Sequence, residues 1–284
     1  MSKPRTTGHL LDSSVVRPML LGTLTYQQYF ATQFQDQPCY ISPFIRMEMY
    51  RSYLRNVIEF YGTLDLPGIY SFSDALTFWS NRYQGSKHKA IQQLVAQLLS
   101  QNTRAISLQT KESARSAISL LIEEFIRDIQ TQFLMLDINT AQCARASGTI
   151  ELNQKEDFSA AIVQFTTVFD DVATARSQCR IHDFLLQDYR ASLENYLKQS
   201  AEQSKNSASR GFIAIVDTLK IILEQGESAC SCKCCERIGD VVITLDAPRH
   251  LQLEHTDQAF DYLCPPLDQP HCKHPSETQI LRGL

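Results

Sequence analysis

The sequence predicts a helix-dominated α/β fold, and three observations predict it. Short apolar segments bounded by turn residues stand near both ends of the chain, at 9–16 and 251–254, and read as strands. Between them, from 71 to 223, apolar residues recur at helical spacing almost without interruption. A chain of 284 residues with 43% hydrophobic and 20% charged content can bury a sizeable core.

Taken in order, residues 9–16 give a short buried strand ending at Asp12. A turn or helix start follows, because Asp12, Ser13 and Ser14 favour turns and N-caps. Read alone, Asp12 is a helix cap. Residues 19–35 carry Leu20, Leu21, Leu24, Tyr26, Tyr29, Phe30 and Phe34 on a helical or mixed apolar face. A short strand at 39–43 leads to Ser42 as N-cap and Pro43 as first helical residue. The helix over 44–61 bears Arg46, Glu48, Arg51 and Arg55, and Pro67 and Gly68 mark a loop at 63–70. Helices are expected from Ser73 through Trp79, over 86–100 and over 112–136. A loop at 137–157, helices at 158–173 and 182–198, and a loop at 200–210 come next. The strongly apolar stretch 211–225, with Phe212, Ile213, Ile215, Val216, Leu219 and Ile222, is expected to be a helix lying against a sheet. Asp240 then opens an apolar helix, Pro248 stops it, and a strand at 251–254 precedes a short helix through Leu263. The tail from 267 is expected to be loop with a loose helical end.

Net charge is −4 and the pI about 6.0, so the chain as a whole does not attract nucleic acid or anionic membrane. A nucleic-acid contact would need a local basic patch or bound cations. Arg46, Arg51 and Arg55, with Lys87-His88-Lys89, Lys205 and Arg210, could line such a groove. Each cluster taken alone is a solvated helix face. The N-terminus lacks the apolar core of a signal peptide, and the apolar stretch at 211–223 is interrupted by Asp217 and Lys220. No membrane span is expected, and the nine cysteines suit a cytoplasmic protein with reduced thiols. Glycine-rich phosphate loops and nucleophile elbows are absent from the sequence.

The acids carry the functional signal. Asp12 follows a strand, Glu48 lies early in a helix, Asp240 opens a helix and Asp257 follows a strand. In open α/β sheets, sites collect at the carboxyl ends of strands. Carboxylates gathered there cannot all ionise without a cation, and Mg²⁺ or Mn²⁺ prefer oxygen ligands. Such a centre activates water for phosphodiester cleavage. Glu59 and Asp65 are rivals to Glu48, without its helix-start context, and Asp246 and Asp261 read as surface or capping residues.

Four segments resemble PIN domains in order and type. They are Leu11-Asp12-Ser13-Ser14-Val15, Ile45-Arg46-Met47-Glu48, Ile238-Gly239-Asp240-Val241-Val242-Ile243-Thr244-Leu245 and His255-Thr256-Asp257-Gln258-Ala259-Phe260. The resemblance covers 8–60 and 236–266. It implies an α/β/α sandwich around a short central parallel sheet, in one domain spanning 1–284. The core would be 8–62 and 211–266, and 71–210 a large helical insertion. In compact members of the family the second and third acids lie much closer together than Glu48 and Asp240 do. The implied activity is a Mg²⁺- or Mn²⁺-dependent ribonuclease. Asp12, Glu48 and Asp240 would be metal ligands, Asp257 a ligand or the holder of a bound water, and Ser13 a hydrogen-bonding support that orients Asp12. Arg46 and Arg51 would contact nucleic acid. Some family members have lost activity, which implies the alternative of a scaffold that binds RNA or a protein partner. A homodimer is compatible with either. A third expectation, a mainly helical interaction protein, requires no parallel sheet and scattered acids.

Cys230, Cys232, Cys234 and Cys235 form a C-x-C-x-C-C run, tighter than a zinc ribbon's paired cysteines. A structural Zn²⁺ there would need further ligands from Cys264, His271, Cys272 or His274, and the plain alternative is a loop of reduced thiols. Cys39, Cys143 and Cys179 read as ordinary buried thiols.

Overall fold

The computed structural model describes residues 6–100, 110–136, 181–203, 210–226 and 237–283. The loop and helix expected at 137–157 and 158–173 lie outside these residues. So do Lys205, Cys143, Cys179 and the run Cys230, Cys232, Cys234 and Cys235.

The fold is a helix-rich α/β arrangement around five strands: β1 (Gly8–Leu11), β2 (Cys39–Ile41), β3 (Leu134–Met135), β4 (Leu251–His255) and β5 (His271–Lys273). Their spatial order is β3-β2-β1-β4-β5, and every neighbouring pair is parallel. The central strand β1 pairs on one side with β2, His9 opposite Cys39, and on the other with β4, Leu11 opposite Glu254. A strand enclosed in this way must be apolar, and Leu10, Leu11, Ile41, Leu251 and Leu253 are all buried. The parallel sheet rules out the purely helical alternative.

The chain runs outward from β1 to β2 and β3, then returns beside β1 as β4 before moving out to β5. β1 and β4 therefore flank the point where the connections diverge. At such a switch point the loops at the strands' carboxyl ends part and leave a crevice.

Helix α1 (Ser13–Leu21) begins directly after β1, and α2 (Leu24–Gln33) follows the break at Gly22. Ser42 caps α3 (Pro43–Met49), accepting a hydrogen bond from the Ile45 N–H at 3.2 Å, with Pro43 at its start. The expected single helix over 44–61 is interrupted. After α3 comes a π-helical turn (Tyr50–Leu54), then α4 (Arg55–Thr63). Ser52 and Asn56 explain the local geometry: the Ser52 hydroxyl donates to the Glu48 carbonyl at 2.6 Å and the Asn56 amide to the Ser52 carbonyl at 2.7 Å.

Helices α5 (Phe72–Arg82), α6 (Ser86–Ser100) and α7 (Lys111–Gln132) follow. α7 stops short of the expected 136 because Leu134 and Met135 pair with β2 as β3. A helical turn (Ile181–Asp183) and a second π-helical turn (Phe184–Asp188) precede α8 (Arg190–Gln203), which extends into the expected loop. α9 (Arg210–Gln225) packs chiefly on α8 rather than on the sheet, and Ile213 is exposed. α10 (Gly239–Asp246) leads into β4, α11 (Ala259–Leu263) follows it, and α12 (Glu277–Leu281) comes last. The tail expected to be loop contains the edge strand β5. No helix among the described residues is long and apolar enough to cross a membrane.

Candidate acidic site at the strand ends

The sheet topology gathers the predicted acids at one edge. Asp12 stands at the carboxyl end of β1 and Asp257 just past the end of neighbouring β4. Glu48 lies on α3, reached from the carboxyl end of β2. Asp240 lies in the first turn of α10, which packs on α3. Gly239 makes that approach close, since a Cβ there would stand 3.1 Å from Glu48 Oε1 and from Phe44 Cε1.

Asp12 combines two roles. Its Oδ2 accepts the Ser14 N–H at 2.8 Å as the N-cap of α1, while its Oδ1 is buried without a hydrogen-bond partner. The cap expected from the sequence is thus made by a carboxylate that keeps its other oxygen unpartnered. Burial raises its pKa from 3.8. The Ser14 hydroxyl and the Ser14 and Ser13 N–H groups pull it back, and the Asp257 charge raises it further.

Ser13 reaches Asp12 through its backbone N–H, and its hydroxyl turns to another carboxylate. The Ser13 hydroxyl serves Glu48, and the hydroxyl that serves Asp12 belongs to Ser14. Ser14 Oγ also accepts the Thr256 N–H at 3.0 Å, tying the end of β4 to the start of α1. The first helical turn presents Ser13 and Ser14 in different directions, so one residue's shift in sequence changes the carboxylate reached.

Glu48 is pushed up to about 7, first by burial and then by the Asp12 charge, against the Ser13 hydroxyl, Arg17 and Arg51. Asp240 is pushed up to about 8 by burial and by Asp12, Glu48 and Asp257 together. These carboxylates therefore feel one another's charge, and the two acids on helices hold protons more firmly than free carboxylates do. Asp257 is exposed, and its Oδ1 accepts the Ala259 N–H at 2.9 Å.

Arg17 went unnoticed in the sequence. Burial lowers its pKa while Glu48 and Asp12 raise it, and its guanidinium donates to the Ser52 hydroxyl within the π-helical turn. Its position four residues after Ser13, on the same helix face, was the available signal. The rivals to Glu48 are engaged elsewhere: Glu59 pairs with Arg55 and Lys87, and Asp65 with Arg115. Of the expected basic cluster, Arg51 acts on Glu48, Arg46 on Tyr50, and Lys87 lies 4.6 Å from the Tyr83 ring centre.

Asp246 and Asp261, expected as surface or capping residues, differ in their surroundings. Asp246, at the end of α10, is largely buried, its Oδ1 lacks a partner, and burial pushes its pKa up to about 7. An apolar helix running into the core carries its last residue inside with it. Asp261 is half-buried, pairs with Lys273 and stands beside His255 and His271.

Among the described residues, two groups bring three ligand-type atoms within 4.8 Å of one another: Glu254, Cys272 and His274, and His255, Asp261 and His271. The four acids form a looser set. In the first group, burial alone would raise the Glu254 pKa. It is instead lowered, because His274 Nε2 and His9 Nδ1 each approach its carboxylate at 2.7 Å. Cys39 and Cys272 are partly exposed and Cys264 is buried.

No family model, curated protein or solved structure matches the chain.

Proposed function

We propose that the chain is a metal-dependent nuclease of PIN-domain type, acting on RNA, with its centre at Asp12, Glu48, Asp240 and Asp257. The observation that carries this is Asp240, a half-buried acid in the first turn of α10 pushed up to about 8 by burial and three further carboxylates. Each of the four belongs to one of the PIN-like segments, and the charges of Asp12, Glu48 and Asp257 all act on Asp240 near the β1–β4 switch point, the kind of place where α/β folds bind ligands. Asp12 Oδ1, buried and without a partner, has the unsatisfied lone pairs that suit a cation. The donors are all oxygen, which favours Mg²⁺ or Mn²⁺ over zinc.

In this function Asp12, Glu48 and Asp240 hold the cation, which supplies Lewis-acid stabilisation of a phosphodiester and a low-pKa water. Asp257, the exposed acid, would be the group placed to orient a water there and to take up a proton. Ser13 and Ser14 fix the carboxylates of Glu48 and Asp12. Arg46, on α3 with Glu48, and Arg51, in the π-helical turn after it, contribute to contacts with phosphates. Residues 71–210, expected as an insertion, supply β3 to the sheet, and the described helices among them, α5 to α8, are the part that would select the substrate or a protein partner.

Arg17 favours a second reading, because it already offers counter-charge to Glu48 and Asp12. A non-catalytic scaffold of the same type, binding RNA without cleaving it, would use that arrangement. One assay separates the two. The nuclease cleaves single-stranded RNA with Mn²⁺, stops with a chelator, and loses more than about 100-fold in rate in Asp240→Asn, more than outer-shell changes cost. RNA binding that survives both chelator and Asp240→Asn, with no cleavage by the parent, supports the scaffold and removes the nuclease.

A further inference from the structure

The two tighter ligand groups differ in how their atoms are used. In Glu254, Cys272 and His274, both carboxylate oxygens are occupied by His9 and His274, and Tyr29 Oη lies 3.1 Å from the other His274 nitrogen. That group is a closed hydrogen-bond network. The second group is different. His255 Nδ1 lies 2.8 Å from the Asp257 carbonyl. A carbonyl only accepts, so Nδ1 carries the proton and Nε2 presents its lone pair. Nε2 faces His271 Nδ1 at 3.1 Å, and a carboxylate oxygen of Asp261 completes the trio within 4.8 Å.

We propose that His255 Nε2, His271 Nδ1 and Asp261 form a zinc site between β4, α11 and β5, separate from the four-acid centre. Two imidazole nitrogens bound to one tetrahedral Zn²⁺ at about 2.0–2.1 Å stand about 3.3 Å apart, close to the separation seen here. Imidazole and carboxylate together select zinc over Mg²⁺, which takes oxygen alone and keeps its waters. The outer shell has the form metal-bound histidines use. His255 donates its other ring N–H to a backbone carbonyl, and Lys273 Nζ holds Asp261 Oδ2. His255 is fully buried while Asp261 and His271 are half-buried, so the trio reaches from the core toward the surface, and three protein ligands leave one position of a tetrahedral zinc for a water. The ion would pin β5, an edge strand of only three residues, to β4 and α11.

The site is tested by titrating the full-length chain with Zn²⁺ in a calorimeter and counting bound zinc after dialysis. His271→Ala and Asp261→Asn, both at half-buried positions, are compared with the parent, with folding checked by circular dichroism. The parent binds one equivalent more than His271→Ala, and Asp261→Asn weakens that equivalent by more than about 100-fold. Asp240→Asn retains it, which separates it from the acidic centre. Cys232→Ser with Cys235→Ser also retains it, which separates it from zinc held by the cysteine run with His271 as a borrowed ligand. Equal zinc content in the parent and in either folded variant, or loss with the cysteines, overturns the proposal and leaves an imidazole–imidazole hydrogen bond only.

Discussion

Among the described residues, two carboxylate oxygens are buried without a hydrogen-bond partner, Asp12 Oδ1 and Asp246 Oδ1, and their surroundings differ. Asp12 stands among other charged groups, whereas burial is the sole cause that raises Asp246 to about 7. Asp246 also ends α10, where the helix dipole disfavours an anion. Its folded pKa lies above its ordinary 3.8, so folding takes up a proton between those values and stability falls as pH rises through about 7. Asp246→Asn keeps the shape and removes that loss. The variant's melting temperature should exceed the parent's at about pH 8, with the difference shrinking toward about pH 5. A difference that is constant across that range would place the charge in water. Sequence alone placed Asp12 and Asp257 at strand ends, because both sit next to short apolar runs. It did not separate Ser13 from Ser14, nor show Arg17 turning inward, because a side chain's direction in the first helical turn depends on what packs against that turn.

The elements that place the site are short and abut closely. α10 meets α3 at Gly239, where a methyl group would press on Glu48 Oε1 and the Phe44 ring at 3.1 Å each. The Glu48 carboxylate can swing aside, but Phe44 is buried and cannot follow cheaply. Gly239→Ala should therefore cost about 1–3 kcal/mol in a denaturant titration, the range for overfilled cores. It should also weaken Mn²⁺ binding if Glu48 is a ligand. Unchanged stability would show that α10 can slide on α3. β1 and β4 were legible as apolar runs between turn residues. β3 and β5 were not, because Leu134-Met135 is too short to show a period and His271-Cys272-Lys273 lacks an apolar face. They are strands because β2 and β4 offer them an open edge, which is a long-range fact. The π-helical turn after Glu48 was hidden for a different reason. Its apolar residues keep helical spacing while Ser52 and Asn56 rearrange the backbone hydrogen bonds beneath them.

At the scale of the molecule, the acidic centre links folding to pH and to cations. Glu48 and Asp240 have folded pKa values of about 7 and about 8, above their ordinary 4.5 and 3.8. Between those limits the folded chain holds protons that the unfolded chain has released. Stability is therefore greatest at the acidic end of the window and declines as pH rises through about 7 to 8. Glu254, with its pKa lowered, acts in the opposite sense only below the ordinary 4.5, whereas His255 and His271, held below the ordinary 6.5 by burial, oppose the decline until pH passes about 6.5. In a chelator, the melting temperature should thus fall from about pH 6.5 to about pH 8. A cation bound by the same carboxylates competes with these protons. Mn²⁺ at a hundredfold excess over its dissociation constant stabilises by about 2.7 kcal/mol, so it should raise the melting temperature more at the alkaline end, where protons no longer compete. Asp240→Asn should flatten the decline in chelator and shrink the Mn²⁺ effect, whereas Asp246→Asn flattens the decline and leaves the Mn²⁺ effect intact. A Mn²⁺ shift of the same size at both ends of the range, or unaltered in Asp240→Asn, would place the cation away from the β1–β4 switch point and remove the physical basis of the proposed nuclease centre.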